Sequence, residues 1–354
     1  MSQPRGEPVA TEGRPAAAAH GARRRLPVPS IRTWAYIAFA LCVTVALQQW
    51  VGLASLYNPV LAAKQAEVFP RLLANEPPPS GRWGDIGMST TQLRIAMLWA
   101  IHAAQSISGL PVPKIIRLFD TVFLAAFLLA LQPYLRKWFS SLESLLGVSV
   151  VVCMLPLTYF WGYFVPWDRP SALSWLLVFW MVRENHWKTL ACTLPLLVLV
   201  KHDVALVFGL YWLVWVRREQ LGEVSARALV IAAAGLGTYW ILNQVRPGAL
   251  PPSSMGDQLI KNVQTLLTYP SSYQPMLVYV PLLVPLVYGW QNGDRFQRMS
   301  VVFAVLLAAL MSVSVNFEEF RAHMPVVLGV LPCALVGLRR LLKDNPVPEP
   351  FYAS

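Results

Sequence analysis

Three short polar clusters interrupt the apolar runs of this 354-residue sequence, and each of them contains both acidic and basic side chains. The clusters are Trp167-Asp168-Arg169-Pro170, Lys201-His202-Asp203 and Asn316-Phe317-Glu318-Glu319-Phe320-Arg321. Arginine and lysine bind phosphate groups, and a carboxylate accepts a proton or holds a divalent cation. Because ionisable groups at membrane depth are costly and usually face a cavity or one another, the clusters predict one shared polar site.

The composition predicts the kind of molecule that must position these clusters. Hydrophobic residues make up 56% of the chain and charged residues only 13%, which is typical of an all-α, polytopic integral membrane bundle. The net charge of +11 comes mainly from short basic runs beside apolar segments, such as Arg339-Arg340. Such runs are topology signals and do not indicate nucleic-acid binding. The four cysteines lie in apolar runs without CxxC spacing, so neither a disulfide framework nor a zinc site is predicted.

Hydrophobic patterning divides the chain into two tails and one membrane domain. We expect a disordered cytoplasmic tail at 1–28, a single transmembrane domain at 29–342 and a cytoplasmic tail at 343–354. The domain contains about ten predicted transmembrane segments. They lie at 34–56, 115–133, 142–163, 171–183, 189–200, 204–216, 226–243, 275–290, 299–315 and 324–338.

The segment 91–109 decides the predicted topology. Its mixed polar face favours an amphipathic helix lying at the outer interface instead of a span. With this segment left out of the count, the basic runs and both termini fall on the cytoplasmic side, as the positive-inside rule requires. The outer side then carries two long loops, 57–90 and 244–274, together with all three polar clusters. The same rule favours a hairpin over one long helix for 189–200 and 204–216.

Each cluster also has a structural interpretation that needs no ligand. Asp168 precedes Pro170 and an apolar run, an arrangement typical of a helix N-cap. Lys201 and Asp203 could neutralise each other at the tip of the hairpin. The acids and the arginine of the third cluster could form a salt-bridge network that locks helices together.

The functional interpretation assigns phosphate binding to basic residues on the outer side, namely Arg94, Arg169, Lys201 and Arg321. The supporting polar residues would be Asp168, His202, Asp203, Glu318 and Glu319. On a continuing helix, Glu318 would share a face with Arg321, three positions later. In the first outer loop, Glu67 and Asp85 are candidate acids, and Gly84 would permit a tight turn just before Asp85.

The order of these motifs resembles that of the polytopic, GT-C-like membrane glycosyltransferases of bacteria. The resemblance rests on the start of the helix at Asp168-Arg169-Pro170, on Lys201-His202-Asp203 before a short apolar helix, and on Asn316-x-x-Glu319-x-Arg321 before Pro325. The long first outer loop followed by an interfacial helix is similar too. The resemblance covers most of residues 31–340.

This resemblance implies that a sugar is transferred, with inversion, from a polyprenyl-phosphate donor to an acceptor at the outer face of the bacterial plasma membrane. An acidic residue of the first loop, Asp85 or Glu67, would be the base, and such enzymes often use a divalent cation such as Mg or Mn. The chain departs from the family at Leu56-Tyr57-Asn58-Pro59, where an acidic residue usually follows the first span. Either the base lies further along the loop or the chain is not catalytic.

The alternative from another class is a non-catalytic membrane protein. It would be a transporter of a lipid-linked or anionic solute, or a subunit of a polysaccharide or cell-envelope assembly complex. A transporter should show repeated halves with broken helices near the midplane, and the sequence has no convincing internal repeat. The partners expected under either interpretation are the lipid bilayer and, for the enzyme, a polyprenyl-phosphate sugar.

Overall fold

The computed structural model describes residues 31–51, 94–155, 167–217, 220–245, 255–269, 277, 279–314 and 320–344. These residues form twelve α-helices and two 3₁₀ turns, with no strand among them. The helices are α1 (Ile31–Val51), α2 (Ile95–Ser108), α3 (Val112–Leu135), α4 (Ser141–Met154), α5 (Asp168–Arg183), α6 (Trp187–Val200), α7 (Val207–Trp215), α8 (Leu221–Val245), α9 (Met255–Thr268), α10 (Val280–Asn292), α11 (Arg295–Ser314) and α12 (Met324–Asp344). The 3₁₀ turns, His202–Leu206 and Phe320–His323, precede α7 and α12. The predicted tail at 1–28 and the loop at 57–90 lie outside the described residues.

The helices agree with the apolar segments predicted from the sequence. Each of the ten predicted segments overlaps one helix. Four helices are long and apolar enough to cross a membrane, with the qualifying stretches at Val112–Leu135, Leu221–Val245, Arg295–Val313 and Met324–Leu342. The all-helical structure and these four helices indicate a membrane protein.

The turns that carry basic residues meet at one end of the bundle, which we call the basic end. It comprises the turns 136–140, 184–186, 216–217 and 293–295 and the adjoining helix ends, which include Glu143 and Arg339. The Lys137 Nζ lies 3.3 Å from the Glu184 Oε1, and the Trp138 Nε1 donates to the Asp294 Oδ2 at 2.7 Å. The Arg295 Nε donates to the carbonyl oxygen of Val214 at 2.6 Å. These contacts join the connections α3–α4, α5–α6, α7–α8 and α10–α11, so α3, α5 and α7 all end here.

Because α3 and α5 end at the basic end, they begin at the opposite end, which we call the site end. α1 runs the other way, since the Tyr36 hydroxyl near its start donates to the carbonyl oxygen of Leu145 near the start of α4, at 3.2 Å. α8 also begins at the basic end, whereas α12, which carries Arg339 near its C-terminus, begins at the site end. The Arg339 Nε lies 3.1 Å from the Glu143 Oε1.

α2 does not cross the bundle. At the start of α2, the Arg94 guanidinium lies over the ring of Trp167, 4.4 Å from the ring centroid. Trp167 is the residue immediately before α5. At the end of α2, Gly109 has a φ of 66° and donates its N–H to the carbonyl oxygen of Gln105 at 2.8 Å. Glycine adopts this left-handed conformation without steric cost, and the chain then enters α3 at the site end. Both ends of α2 therefore lie at the site end, while Leu98 and Ile101 are buried beneath it.

α6 and α7 form a hairpin, as the basic flanks of 189–200 and 204–216 predict. The partners along α8 show the reversal. Trp187 at the start of α6 packs against Arg227, and His202 at the tip stacks on Tyr239. The Trp212 indole near the end of α7 then donates to the Ser225 hydroxyl at 3.2 Å, so the chain has returned to the basic end.

Two features of the fold were not predicted from the sequence. The predicted outer loop 244–274 contains the helix α9. The apolar residues of α9 recur at a helical period among polar ones, so they do not form the long apolar run that is typical of a span. α10 and α12 also pack backbone to backbone. A Cβ atom added to Gly337 would lie 1.7 Å from the carbonyl oxygen of Pro285, and one added to Gly289 would lie 1.8 Å from that of Cys333. These glycines set the position of α12 and of the turn that precedes it.

Candidate functional site

The first polar cluster lies at the start of α5, but Asp168 is not its N-cap. The Ser171 N–H donates to the carbonyl oxygen of Trp167 at 2.8 Å, which makes Trp167 the capping residue. Asp168 is the first residue of the helix, and no side-chain hydrogen bond from Trp167 caps it. The N-cap interpretation of Asp168 is therefore wrong. The acid still lies in the first helical turn, where the helix dipole favours a negative charge.

Arg169, a predicted phosphate-binding residue, forms a buried ion pair. Its Nε lies 3.5 Å from the Oδ1 of Asp120 on α3, and the two side chains are only 1% and 5% exposed. This geometry fits a link between α3 and α5 better than the binding of a phosphate. Sequence reasoning missed Asp120, although an ionisable residue inside the apolar segment 115–133 was a usable signal.

The second cluster forms the tip of the hairpin. Lys201 has extended backbone angles (φ −157°, ψ 120°) and ends α6. Its Nζ lies 3.1 Å from the Asp203 Oδ2, and both side chains are mostly buried. The two charges thus neutralise each other in part, as the structural interpretation predicts. However, the Asp203 Oδ1 and the His202 Nδ1 are also buried, and neither has a hydrogen-bond partner among the described residues.

Arg94 connects the first cluster with the second. Its guanidinium stacks on Trp167, and its positive charge acts on both His202 and Asp203. Burial and the charge of Arg94, followed by that of Lys201, lower the pKa of His202 to about 4, although Asp203 partly opposes this shift. The imidazole at the tip is therefore neutral at pH 7. Its ring centroid lies 5.4 Å from that of Tyr239 in a stacked arrangement.

These residues form a recessed polar layer, which we define as Arg94, Trp167, Lys201, His202 and Asp203. Tyr239, which stacks on His202, precedes the end of α8 by six residues. At 1.5 Å per residue, α8 therefore extends about 9 Å beyond the level of the tip. The adjacent ion pair is recessed in the same way, because Asp120 follows the start of α3 by eight residues, or about 12 Å. The layer thus lies below the ends of α3 and α8.

The third cluster is only partly described. Glu318 and Glu319 lie outside the described residues, as do the candidate bases Glu67 and Asp85. Arg321 belongs to the 3₁₀ turn Phe320–His323 at the site end. His323, the last residue of this turn, is buried, and its ring centroid lies 6.3 Å from that of Tyr279.

The described part of the chain does not by itself form a cation site. No group of three or more His, Cys, Asp or Glu side chains that could hold a metal ion occurs within it. Asp203 and Asp120 each pair with a basic residue. Ligands for the Mg or Mn ion that the family resemblance implies would have to include the acids outside the described residues.

Comparisons with protein-family models, with curated proteins and with solved structures gave no match to this chain.

Proposed function

We propose that the recessed polar layer binds the phosphate of a polyprenyl-phosphate sugar, and that the chain is a membrane glycosyltransferase of the GT-C-like kind. The observation that supports this function is the placement of Arg94 and Lys201 beside a neutral, buried His202. The five residues that define the layer contain two cations, Arg94 and Lys201, and one carboxylate, Asp203. A phosphate would accept hydrogen bonds from both cations.

The depth of the layer favours a lipid-linked substrate over a soluble one. The layer lies about 9 Å below the end of α8, among helices that are mainly apolar. A phosphate attached to a polyprenyl chain can reach this depth from the bilayer, because its tail stays among the acyl chains. The Asp203 Oδ1, an acceptor, and the His202 Nδ1, which can donate or accept, have no hydrogen-bond partner among the described residues, and a sugar hydroxyl can supply one to each.

The proposed reaction forms one glycosidic bond and breaks one. The hydroxyl oxygen of the acceptor attacks the anomeric carbon of the sugar, and the bond from that carbon to the phosphate oxygen breaks. The polyprenyl phosphate leaves with the bonding electron pair, and Arg94 and Lys201 stabilise its added negative charge. A carboxylate of the first loop, Asp85 or Glu67, accepts the hydroxyl proton. Inversion at the anomeric carbon follows from the single displacement.

The proposed topology places the chain in the bacterial inner membrane with about ten spans. The basic end and both termini would face the cytoplasm, which agrees with the positive-inside rule. The site end, with α2 at its interface, would face outward. The joining of the basic turns by contacts such as that between Lys137 and Glu184 supports this arrangement.

The test is turnover of polyprenyl-phosphate sugars by the purified full-length protein in lipid nanodiscs. We expect transfer by the wild type, transfer reduced by at least about a hundredfold in Asp85→Asn or in Glu67→Gln, and a weaker defect in Arg94→Gln. The matched control is Arg136→Gln, because Arg136 is an exposed arginine at the basic end. Wild-type rates in all three site variants would contradict the proposed roles. Saturable binding of the donor without any turnover would favour the non-catalytic alternative.

A further inference from the structure

α9, the helix inside the predicted outer loop 244–274, packs on the bundle through polar residues. The Asn262 Nδ2 donates to the carbonyl oxygen of Ser312 near the end of α11 at 2.6 Å. The Gln258 Nε2 donates in turn to the Asn262 Oδ1 at 3.2 Å. Asn262 is buried, whereas the other described side chains of α9 are exposed or half-buried. The side of α9 that faces the protein is therefore its polar side.

The apolar residues of α9 lie on a different side. At 100° per residue they fall within an arc of about 120° that excludes Asn262 and Gln258. Their side chains are between 42% and 77% exposed with respect to the described part of the chain. These residues are Leu259, Ile260, Val263, Leu266 and Leu267. Five large apolar side chains on one exposed face need a partner that is not water.

A third side of α9 is hydrophilic and faces away from the bundle. It carries Asp257, Lys261 and Gln264, all of them exposed. α9 therefore presents one face to the protein, one apolar face and one charged face. This division is expected of a helix that lies at a membrane interface beside a bundle, where protein, acyl chains and water meet.

The side of α11 on which α9 packs also carries an exposed apolar residue of a candidate span. Val305 precedes Ser312 on α11 by seven residues, which is close to two helical turns, so both lie on the same side of α11. Val305 is 61% exposed and lies in the stretch of α11 that is long and apolar enough to cross a membrane. If α11 spans the membrane, the side that carries Val305 faces lipid. α9 packs on this same side, about 10 Å beyond Val305 along the axis of α11.

We propose that α9 is an interfacial membrane helix, and that Leu259, Val263 and Leu266 insert between the acyl chains of the leaflet at the site end. Its 14 residues give a length of about 21 Å, too short to cross a hydrocarbon core of about 30 Å. The hydrogen bond from Asn262 to Ser312 holds the helix beside α11. This inference does not depend on the proposed glycosyltransferase function.

The experiment is nitroxide accessibility along α9 of the full-length protein in vesicles of phosphatidylethanolamine and phosphatidylglycerol. Cys42, Cys153 and Cys192 would be replaced by Ser, while Cys333 is buried and can stay. Single cysteines for labelling would be placed at Val263 and Leu266, with Gln264 and Lys261 as matched controls on the charged face. A label at Leu283 on α10, which is 55% exposed, provides the reference for lipid contact. The readout is the ratio of accessibility to oxygen over that to a water-soluble nickel complex.

We expect labels at Val263 and Leu266 to be more accessible to oxygen than to nickel, as at Leu283, and the preference to reverse at Gln264 and Lys261. A preference for nickel on both faces would show that α9 lies in water and would overturn the proposal. Poor accessibility to both reagents at Val263 and Leu266 would show that protein covers the apolar face, which would also overturn it. A label at Leu283 that still reports lipid would show that the labelled variants remain folded.

Discussion

The two ends of the bundle use charged residues differently. At the basic end, the ion pair of Arg339 with Glu143 is 43% and 30% exposed. At the site end, the ion pair of Arg169 with Asp120 is 1% and 5% exposed. Exposed pairs cost little to form, whereas a buried pair has to offset the desolvation of both charges. The charges of the basic end can therefore be explained by topology and helix connections, but those of the site end require a further reason.

That reason differs between the two parts of the site end. Asp120 and Arg169 pair within the bundle, so they join α3 to α5 beside Trp167. Arg94, Lys201, His202 and Asp203 lie in the recessed polar layer, and two of their buried polar atoms have no partner among the described residues. The site end therefore contains an ion pair that holds two helices together and, next to it, a polar layer with hydrogen-bonding atoms that a ligand can use.

The largest expected effect is the loss of the buried ion pair. Asp120→Ala leaves the Arg169 guanidinium buried without its carboxylate, so we expect the free energy of unfolding to fall by about 3–5 kcal/mol. Denaturant titration of the protein in detergent micelles measures the change. The double variant Asp120→Leu/Arg169→Met should recover most of the loss, because an apolar pair needs no charge compensation. A loss below about 1 kcal/mol in Asp120→Ala would remove the contrast between the two ends.

A smaller effect is expected when the recessed polar layer loses one cation. Arg94→Gln removes the proposed charged hydrogen bond to phosphate, and bonds of this kind contribute about 1.5–3 kcal/mol. We therefore expect kcat/KM for a polyprenyl-phosphate sugar to fall about tenfold to a hundredfold. Lys261→Gln on the exposed charged face of α9 should leave kcat/KM unchanged. Equal effects of the two substitutions would point to a general loss of surface charge.

His202 should make stability depend on pH. Its pKa is about 4 in the folded protein, against an ordinary value of 6.5, so the unfolded state binds the proton more readily. Stability is therefore lost as the pH falls from about 6.5 towards 4. His202→Gln should flatten the pH dependence of the unfolding free energy in this window. Parallel curves for the variant and the wild type would show that the imidazole is not held neutral.

The smallest effect is expected at the basic end. Arg339→Gln removes an exposed ion pair with Glu143, so the free energy of unfolding should change by less than about 1 kcal/mol. Glu143 stays in place in this variant because it also forms a capping box with Ser140 at the start of α4. Thermal unfolding in the same micelles provides the measurement. A loss comparable to that of Asp120→Ala would show that both ends contain equally important pairs.

Much of the helix arrangement could be predicted from the sequence, because apolar runs and basic flanks act independently of distant contacts. They predicted the ten segments that contain helices and the return of the α6–α7 hairpin. α2 has both ends on one side of the bundle, as expected of a segment that is not a span. α9 was missed because the other segments were predicted from continuous apolar runs. The apolar residues of α9 are instead spaced at a helical period among polar ones. The partner of Arg169 was missed because pairing depends on how α3 packs against α5, which periodicity alone does not specify.

The candidate site was predictable only as a set of residue types. The sequence named Arg94, Lys201, His202 and Asp203, but the stacking of Arg94 on Trp167 and of His202 on Tyr239 depends on tertiary packing. The bases proposed in the first loop, Glu67 and Asp85, and the acids Glu318 and Glu319 stay predictions, since they lie outside the described residues.

The most direct test of the central claim is equilibrium binding of polyprenyl phosphate, without a sugar, to the purified protein in nanodiscs. If Arg94 and Lys201 share one phosphate, the wild type should bind it saturably, and Arg94→Gln and Lys201→Met should each weaken binding at least about tenfold. The double variant should show a smaller total loss than the sum of the two single losses, because the cations contact one ligand. Equal affinity in the wild type and both single variants would contradict the claim that these residues form one phosphate site.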